Sequence, residues 1–293
     1  MHILISIVIA FLVAWAFRKR GKPDPLGWWR VAACVTAALV PYLDRLFFLL
    51  DPAFAIGYEF TFMWSILLAP IVAFGISQGF SYLSGGNKPE SKHTPARFFV
   101  PVMATLAFNL LLAVFSENGI ALLAPLWFGR VSLNVVHSFD VGLLIGLVVF
   151  VLLAVTVRSF RTDIARLTLA LLLIYVGIVG TFKFKAYGVG ETYAEAMNVA
   201  VEEIYTLPQP LSPFYWRVIV LTDQQRLHDT RISLKRDKPK TITSDMNRVQ
   251  RAKAAYMPAK ASVWRIKERF GLDNPEFVKR AWQSDISQSL GWA

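Results

Sequence analysis

Residues 31–50 read VAACVTAALVPYLDRLFFLL, an apolar run that carries Asp44 and Arg45 side by side. A charged side chain at the centre of a membrane costs about 2.5–3.5 kcal/mol on insertion scales, so it persists where it meets a partner charge, an ion or a polar cavity. The run marks the chain as membrane-inserted and makes Asp44 the first candidate for function. Neighbours in sequence diverge by ~100° around a helix, so Asp44 and Arg45 would face different surroundings. Two readings follow: a structural ion pair with another helix while Arg45 snorkels outward, or a polar site that uses the carboxylate.

Similar runs lie on both sides of it. Roughly 2–17, 60–83, 98–116, 139–157 and 166–183 are also apolar, and the whole chain is 55% hydrophobic with a mean hydropathy of +0.46, too apolar for an ordinary soluble domain. The reading is a mainly α, polytopic membrane protein of about six transmembrane helices over 1–183, with a small extracytoplasmic α+β domain over 184–293. A signal peptide is disfavoured for 2–17 because Arg18, Lys19 and Arg20 follow the apolar stretch rather than precede it. Alternate loops hold eleven Lys and Arg (five in 18–30, three in 84–97, three in 158–166) against Arg130 alone in 51–59 and 117–138. By the positive-inside rule the first set is cytoplasmic and both termini lie outside.

The net charge is +11, but the cations are dispersed rather than gathered in a stripe, which argues against a nucleic-acid partner. Membrane lipids and another membrane protein are the expected partners. Cys34 is the single cysteine, so neither an intrachain disulfide nor a cysteine zinc site can form. The tail carries 17 Lys+Arg and 12 Asp+Glu, a net of +5. Residues 192–204 pattern as a helix with Tyr193, Met197, Ala200, Val201 and Ile204 on one face. The β-rich runs 214–222 and 227–234 flank a polar turn and predict a hairpin. Two helices are expected after it, one ending at Gly271 and one opening at Asn274-Pro275-Glu276.

Polar residues that could carry chemistry fall on one side of this topology: Asp44, Arg45, Glu59, Ser65, Ser116, His137 and Asp140. Asp44, Glu59, His137 and Asp140 are the candidate metal ligands, since two carboxylates and an imidazole with an open position could hold a divalent ion and activate water. His137 and Asp140 share a face if their helix begins early enough. The alternatives are interfacial solvation for Glu59 and a loop hydrogen bond for His137. There is no phosphate-binding P-loop, no His-Glu-x-x-His and no Gly-x-Ser-x-Gly.

In order along the chain, Pro41-Tyr42-Leu43-Asp44, Glu59-Phe-Thr-Phe-Met-Trp64-Ser65, Asn109 to Pro125, Asp140 and the Pro-rich approach to Trp216-Arg217-Val218 stand out. This series resembles the bacterial membrane-bound metal-dependent hydrolase family, of the LexA-regulated inner-membrane type. The first stretch is similar to that family's Pro-Asp-x-Asp, the second to His-Arg-Gly-x-Thr-His-Ser, the third to His-x-x-x-Asp-x-x-Thr-x-x-Gly. On this matching Asp44, Ser65, Gly119 and Asp140 keep family residues. Tyr42, Glu59, Trp64, Asn109 and Ala113 stand where the family has acids and histidines. The resemblance therefore implies a hydrolase scaffold with a degenerate ligand set: a pseudoenzyme without cofactor, acting as a structural or assembly subunit of a membrane complex. The alternative is an active hydrolase of a lipid or envelope substrate at the outer leaflet, using Mg²⁺, Mn²⁺ or Zn²⁺.

Overall fold

The computed structural model describes residues 2–18, 24, 26–49, 60–85, 95–241, 243, 245–269, 276 and 280 of the chain. The chain divides into two units, 1–133 with 141–175 and 134–140 with 176–293.

In the first unit α1 (His2–Ala16), α2 (Gly27–Leu39), α3 (Ala69–Leu83), α4 (Ala96–Phe115) and α5 (Val141–Thr156) precede the long α6 (Arg161–Met197), whose first half belongs here. α1 packs on α2, α4 and α5, and α2 also packs on α3 and α4. The face of α2 in these contacts is built from small side chains: Ala33, Cys34, Ala37 and Ala38 are fully buried. Small residues let helix axes approach closely where apolar solvation supplies no drive between helices. Around that seam, Phe98, Val102, Leu106 and Leu110 of α4 fill the core with Trp64 and Ile120.

The six-span architecture expected from the apolar runs is overturned. Among the described residues two helices, Ala96–Phe115 and Arg158–Met197, are long and apolar enough to cross a membrane. α1, α2, α3 and α5 have 15, 13, 15 and 16 residues. At 1.5 Å per residue they reach roughly 20–24 Å, short of a ~30 Å hydrocarbon core. The causes are local. The run 31–50 breaks at Leu39, where Val40–Leu49 turns into a 3₁₀ helix around Pro41, a residue with no N–H to continue the α ladder. The run 60–83 becomes helical only at Ala69, with Pro70 in its first turn, and Phe60 holds a left-handed φ of 63°. Without six alternating spans, the eleven-to-one count of basic residues loses its basis for assigning sides.

The second unit is a five-stranded sheet on the C-terminal part of α6. β1 (Val201–Pro208), β2 (Tyr215–Thr222) and β3 (Arg226–Ser233) are antiparallel neighbours. The other edge of β3 pairs in parallel with β4 (Met257–Pro258) and antiparallel with β5 (Arg265–Glu268). The hairpin runs seen in the sequence are β2 and β3, joined by a turn in which Gln225 takes a φ of 59°.

Two helix expectations fail here. The helix expected over 192–204 stops at Met197, because Asn198 adopts a left-handed φ of 48° and Val199 N–H returns to the Ala194 carbonyl. From Val201 the chain is strand. Instead of a helix ending at Gly271, α7 (Arg248–Ala254) is capped by Asn247 and Gln250, and 265–268 forms β5. The opening at Asn274-Pro275 lies outside the described residues.

Trp216, Val218 and Val220 of β2 and Ile232 of β3 are buried. Tyr193 of α6 stacks on Trp264 at 3.8 Å and hydrogen-bonds His228 Nδ1 at 2.8 Å. Gly190 is the point of closest approach: a Cβ there would lie 2.8 Å from Ile204 Cγ2 and 3.1 Å from Val218 Cγ1. Gly188 has nothing within 4 Å of its added Cβ. Helical Gly→Ala normally gains about 0.5–1 kcal/mol. Gly188→Ala is therefore expected to raise the melting temperature and Gly190→Ala to lower it, as circular dichroism melts of the purified variants would read.

Candidate functional site

Asp44 is 2% exposed, and its carboxylate faces backbone. Oδ2 accepts the N–H of Thr61 at 3.2 Å and that of Met63 at 3.2 Å. A carboxylate in this role acts as a cap for amides that no helix satisfies. It holds the turn at 60–68, which is then stitched to the loop after α4: Ala121 N–H donates to the Phe60 carbonyl and Ile66 N–H to that of Leu122. Ser65 belongs to the same stitching. Its hydroxyl donates to the Ala124 carbonyl at 2.5 Å and accepts Leu67 N–H at 3.1 Å.

The stitched turn forms one wall of a cavity of about 20 Å³, room for a single water. Tyr42, Phe60 and Trp64 line it on that side, Ser6 of α1 on another, and Asn109, Ala113 and Ser116 of α4 and its C-terminus on a third, with Gly119 beyond. Tyr42 and Trp64 meet edge to face, ring centroids 5.3 Å apart, and Phe60 lies 5.5 Å from Trp64. The Arg45 guanidinium stands 5.7 Å from the centroids of both Tyr42 and Phe60, so cation–π attraction holds it over the aromatic wall. Ser6 Oγ and Tyr42 Oη share a 2.9 Å hydrogen bond. Asn109 is 3% exposed, and its Nδ2 meets no protein acceptor among the described residues.

Of the positions singled out by the hydrolase resemblance, Tyr42, Trp64, Asn109, Ala113 and Gly119 line this one cavity, whereas Asp44, Ser65 and Asp140 are not in its described lining. Its described lining holds three hydroxyl groups (Ser6, Tyr42 and Ser116), two side-chain amides (Asn109 and Asn118) and apolar side chains, and no carboxylate, imidazole or thiol. Such a set can hydrogen-bond a neutral group; it offers no base for a nucleophile. Ser116 Oγ donates to the Ala113 carbonyl at 2.8 Å, closing the end of α4.

His137 and Asp140 belong to the second unit and Asp44 to the first. α5 begins at Val141, so His137 and Asp140 precede the helix and form a turn instead of sharing its face. In that turn Asp140 N–H donates to the His137 carbonyl at 3.1 Å, and His137 Nδ1 accepts the N–H of Phe139 at 2.9 Å. The imidazole thus carries its neutral-state proton on Nε2. Burial holds its pKa below the usual histidine value, partly opposed by the Asp140 carboxylate. Glu59 lies outside the described residues. Among the described residues no three His, Cys, Asp or Glu side chains are grouped as a metal site would require.

Sequence reasoning missed Ser6, because a lone serine in an apolar helix gives no periodic signal. Its contact with Tyr42, 36 residues away, exists only once α1 packs against the 3₁₀ turn. No family model, no curated protein and no solved structure matches this chain.

Removing the Asp44 carboxylate leaves buried N–H groups without an acceptor, at about 1–3 kcal/mol each. Asp44→Ala should therefore lower thermal stability sharply, while Asp44→Asn, which keeps one acceptor oxygen, should lose less. Equal losses in detergent melts would show that the charge rather than the acceptor matters.

Proposed function

We propose that this chain is a membrane-anchored, non-catalytic relative of the bacterial membrane-bound metal-dependent hydrolases, serving as a structural or assembly subunit of a membrane complex. The observation that carries the reading is the aromatic filling of the cavity on which Tyr42, Trp64, Asn109, Ala113 and Gly119 converge. A hydrolytic metal site needs about three ligands and an open position for water. At the matched positions Trp64 and Ala113 offer no ligand atom, and Tyr42 is engaged by Ser6 and Trp64. Room for one water leaves no space for a cation with its coordinated waters and a substrate group.

The surface supports an anchored subunit. Ile71 and Phe74 of α3, Ile145, Val149 and Leu152 of α5, and Leu167 and Ile174 of α6 are exposed. Apolar faces of this kind are covered by lipid or by a partner protein. On this reading α4 and α6 cross a bacterial inner membrane. On the same reading the C-terminal tail lies outside the cytoplasm, which the reporter fusion below tests.

Elemental analysis of the detergent-purified full chain should find less than stoichiometric Mg, Mn and Zn, and the same preparation should contain a second membrane protein. Stoichiometric metal on an isolated chain that hydrolyses phospholipid would overturn the proposal. A phosphatase reporter fused after Ala293 should be active and a fluorescent-protein reporter dark, as required of a C-terminus outside the cytoplasm; the opposite pattern would reverse the orientation.

A further inference from the structure

The sheet turns one face to α6 and carries a concentration of positive charge on the other. Trp216, Val218, Val220 and Ile232 occupy the first. At the alternate positions, Arg217 of β2 stands directly opposite Arg231 of β3, and Asp229 opposes Arg265 of β5, with Lys267 two residues further on. These five side chains line a concave pocket of about 210 Å³. Its charge is unbalanced. Asp229 accepts both Nε and Nη2 of Arg217 at 2.8 Å, so the one carboxylate in the lining is committed to a bidentate pair. No described carboxylate pairs with Arg231, Arg265 or Lys267, and all three are exposed. Like charges placed directly opposite across strands destabilise a sheet, and a concave cluster of cations focuses positive potential. Guanidinium forks match the oxygens of a phosphate group in geometry and charge.

We propose that this pocket binds a phosphate group, carried by a phospholipid headgroup or by a soluble phosphate ester. Arg231 and Arg265 supply the forks from adjacent strands on the two sides of Asp229, and Lys267 adds a point charge. Arg217, already paired, sets the pocket wall and keeps Asp229 from competing for the ligand. The inference does not depend on the hydrolase reading of the first unit.

The full chain in detergent would be titrated calorimetrically with glycerol 3-phosphate and with acetate at equal ionic strength. It would also be tested for flotation with phosphatidylcholine vesicles with and without phosphatidylglycerol. Saturable binding of the ester, or retention by the anionic vesicles alone, is expected; the first outcome names the soluble source and the second the headgroup. Arg231→Gln with Arg265→Gln should weaken whichever binding is seen by about tenfold or more. Lys238→Gln, outside the pocket, should leave it unchanged. Because a double variant can misfold, Lys267→Gln alone provides a second reading, with a smaller loss and a smaller phosphate-induced rise in melting temperature. Absence of both binding modes, equal binding of acetate, or unchanged binding in folded Arg231→Gln/Arg265→Gln protein would overturn the proposal.

Discussion

The first unit depends on one carboxylate capping backbone. From Phe60 to Leu68 the chain is not helical, and every amide it frees inside an apolar unit needs an acceptor. Asp44 supplies one to Thr61 and Met63. Once that turn is fixed, Phe60 and Trp64 are presented to Tyr42, Ser65 reaches the Ala124 carbonyl, and the loop after α4 closes over the cavity. The charge that looked expensive in the sequence is therefore matched by hydrogen bonds from backbone amides.

What the sequence made legible follows from the range of each signal. The apolar runs marked α1, α4, α5 and α6 well because composition is a local property. Their lengths were less legible, since Pro41 and Pro70 act through backbone donors and cut two runs that hydropathy joins. The alternation around residues 215–233 announced the hairpin, whereas Arg265–Glu268 reads as charged and helical until β3 supplies its pairing partner. Asn198 is a similar case: its left-handed φ ends α6 seven residues before the apolar pattern does. For the site, Tyr42, Trp64, Asn109, Ala113 and Gly119 stood out in the sequence one by one, but their meeting with Ser6 around one cavity required the packing of α1.

That convergence also bears on the proposed loss of a metal site. A cavity that loses a ligand is left either with an uncompensated polar group or with a void, and both are costly. Here Tyr42 and Trp64 fill the space with rings that meet edge to face, and Arg45 lies over the rings of Tyr42 and Phe60. Asn109 Nδ2 meets no protein acceptor among the described residues. The cavity thus combines an aromatic wall with hydroxyl and amide groups, of which Ser6 and Tyr42 satisfy each other.

α6 connects these arguments to the membrane. Its 37 residues extend about 55 Å at 1.5 Å each, well beyond a ~30 Å hydrocarbon core. Its composition changes at Lys183 and Lys185, after an apolar stretch that begins near Ile164. At that level Phe182 packs on Phe214 with centroids 4.8 Å apart, and Lys235 Nζ lies 5.7 Å over the Phe214 ring. Aromatic rings with lysines are the combination favoured where hydrocarbon gives way to headgroups. Gly190 and Tyr193, which fasten the sheet, follow one to three turns later along the same helix. The C-terminal part of α6 is therefore the surface on which the second unit folds.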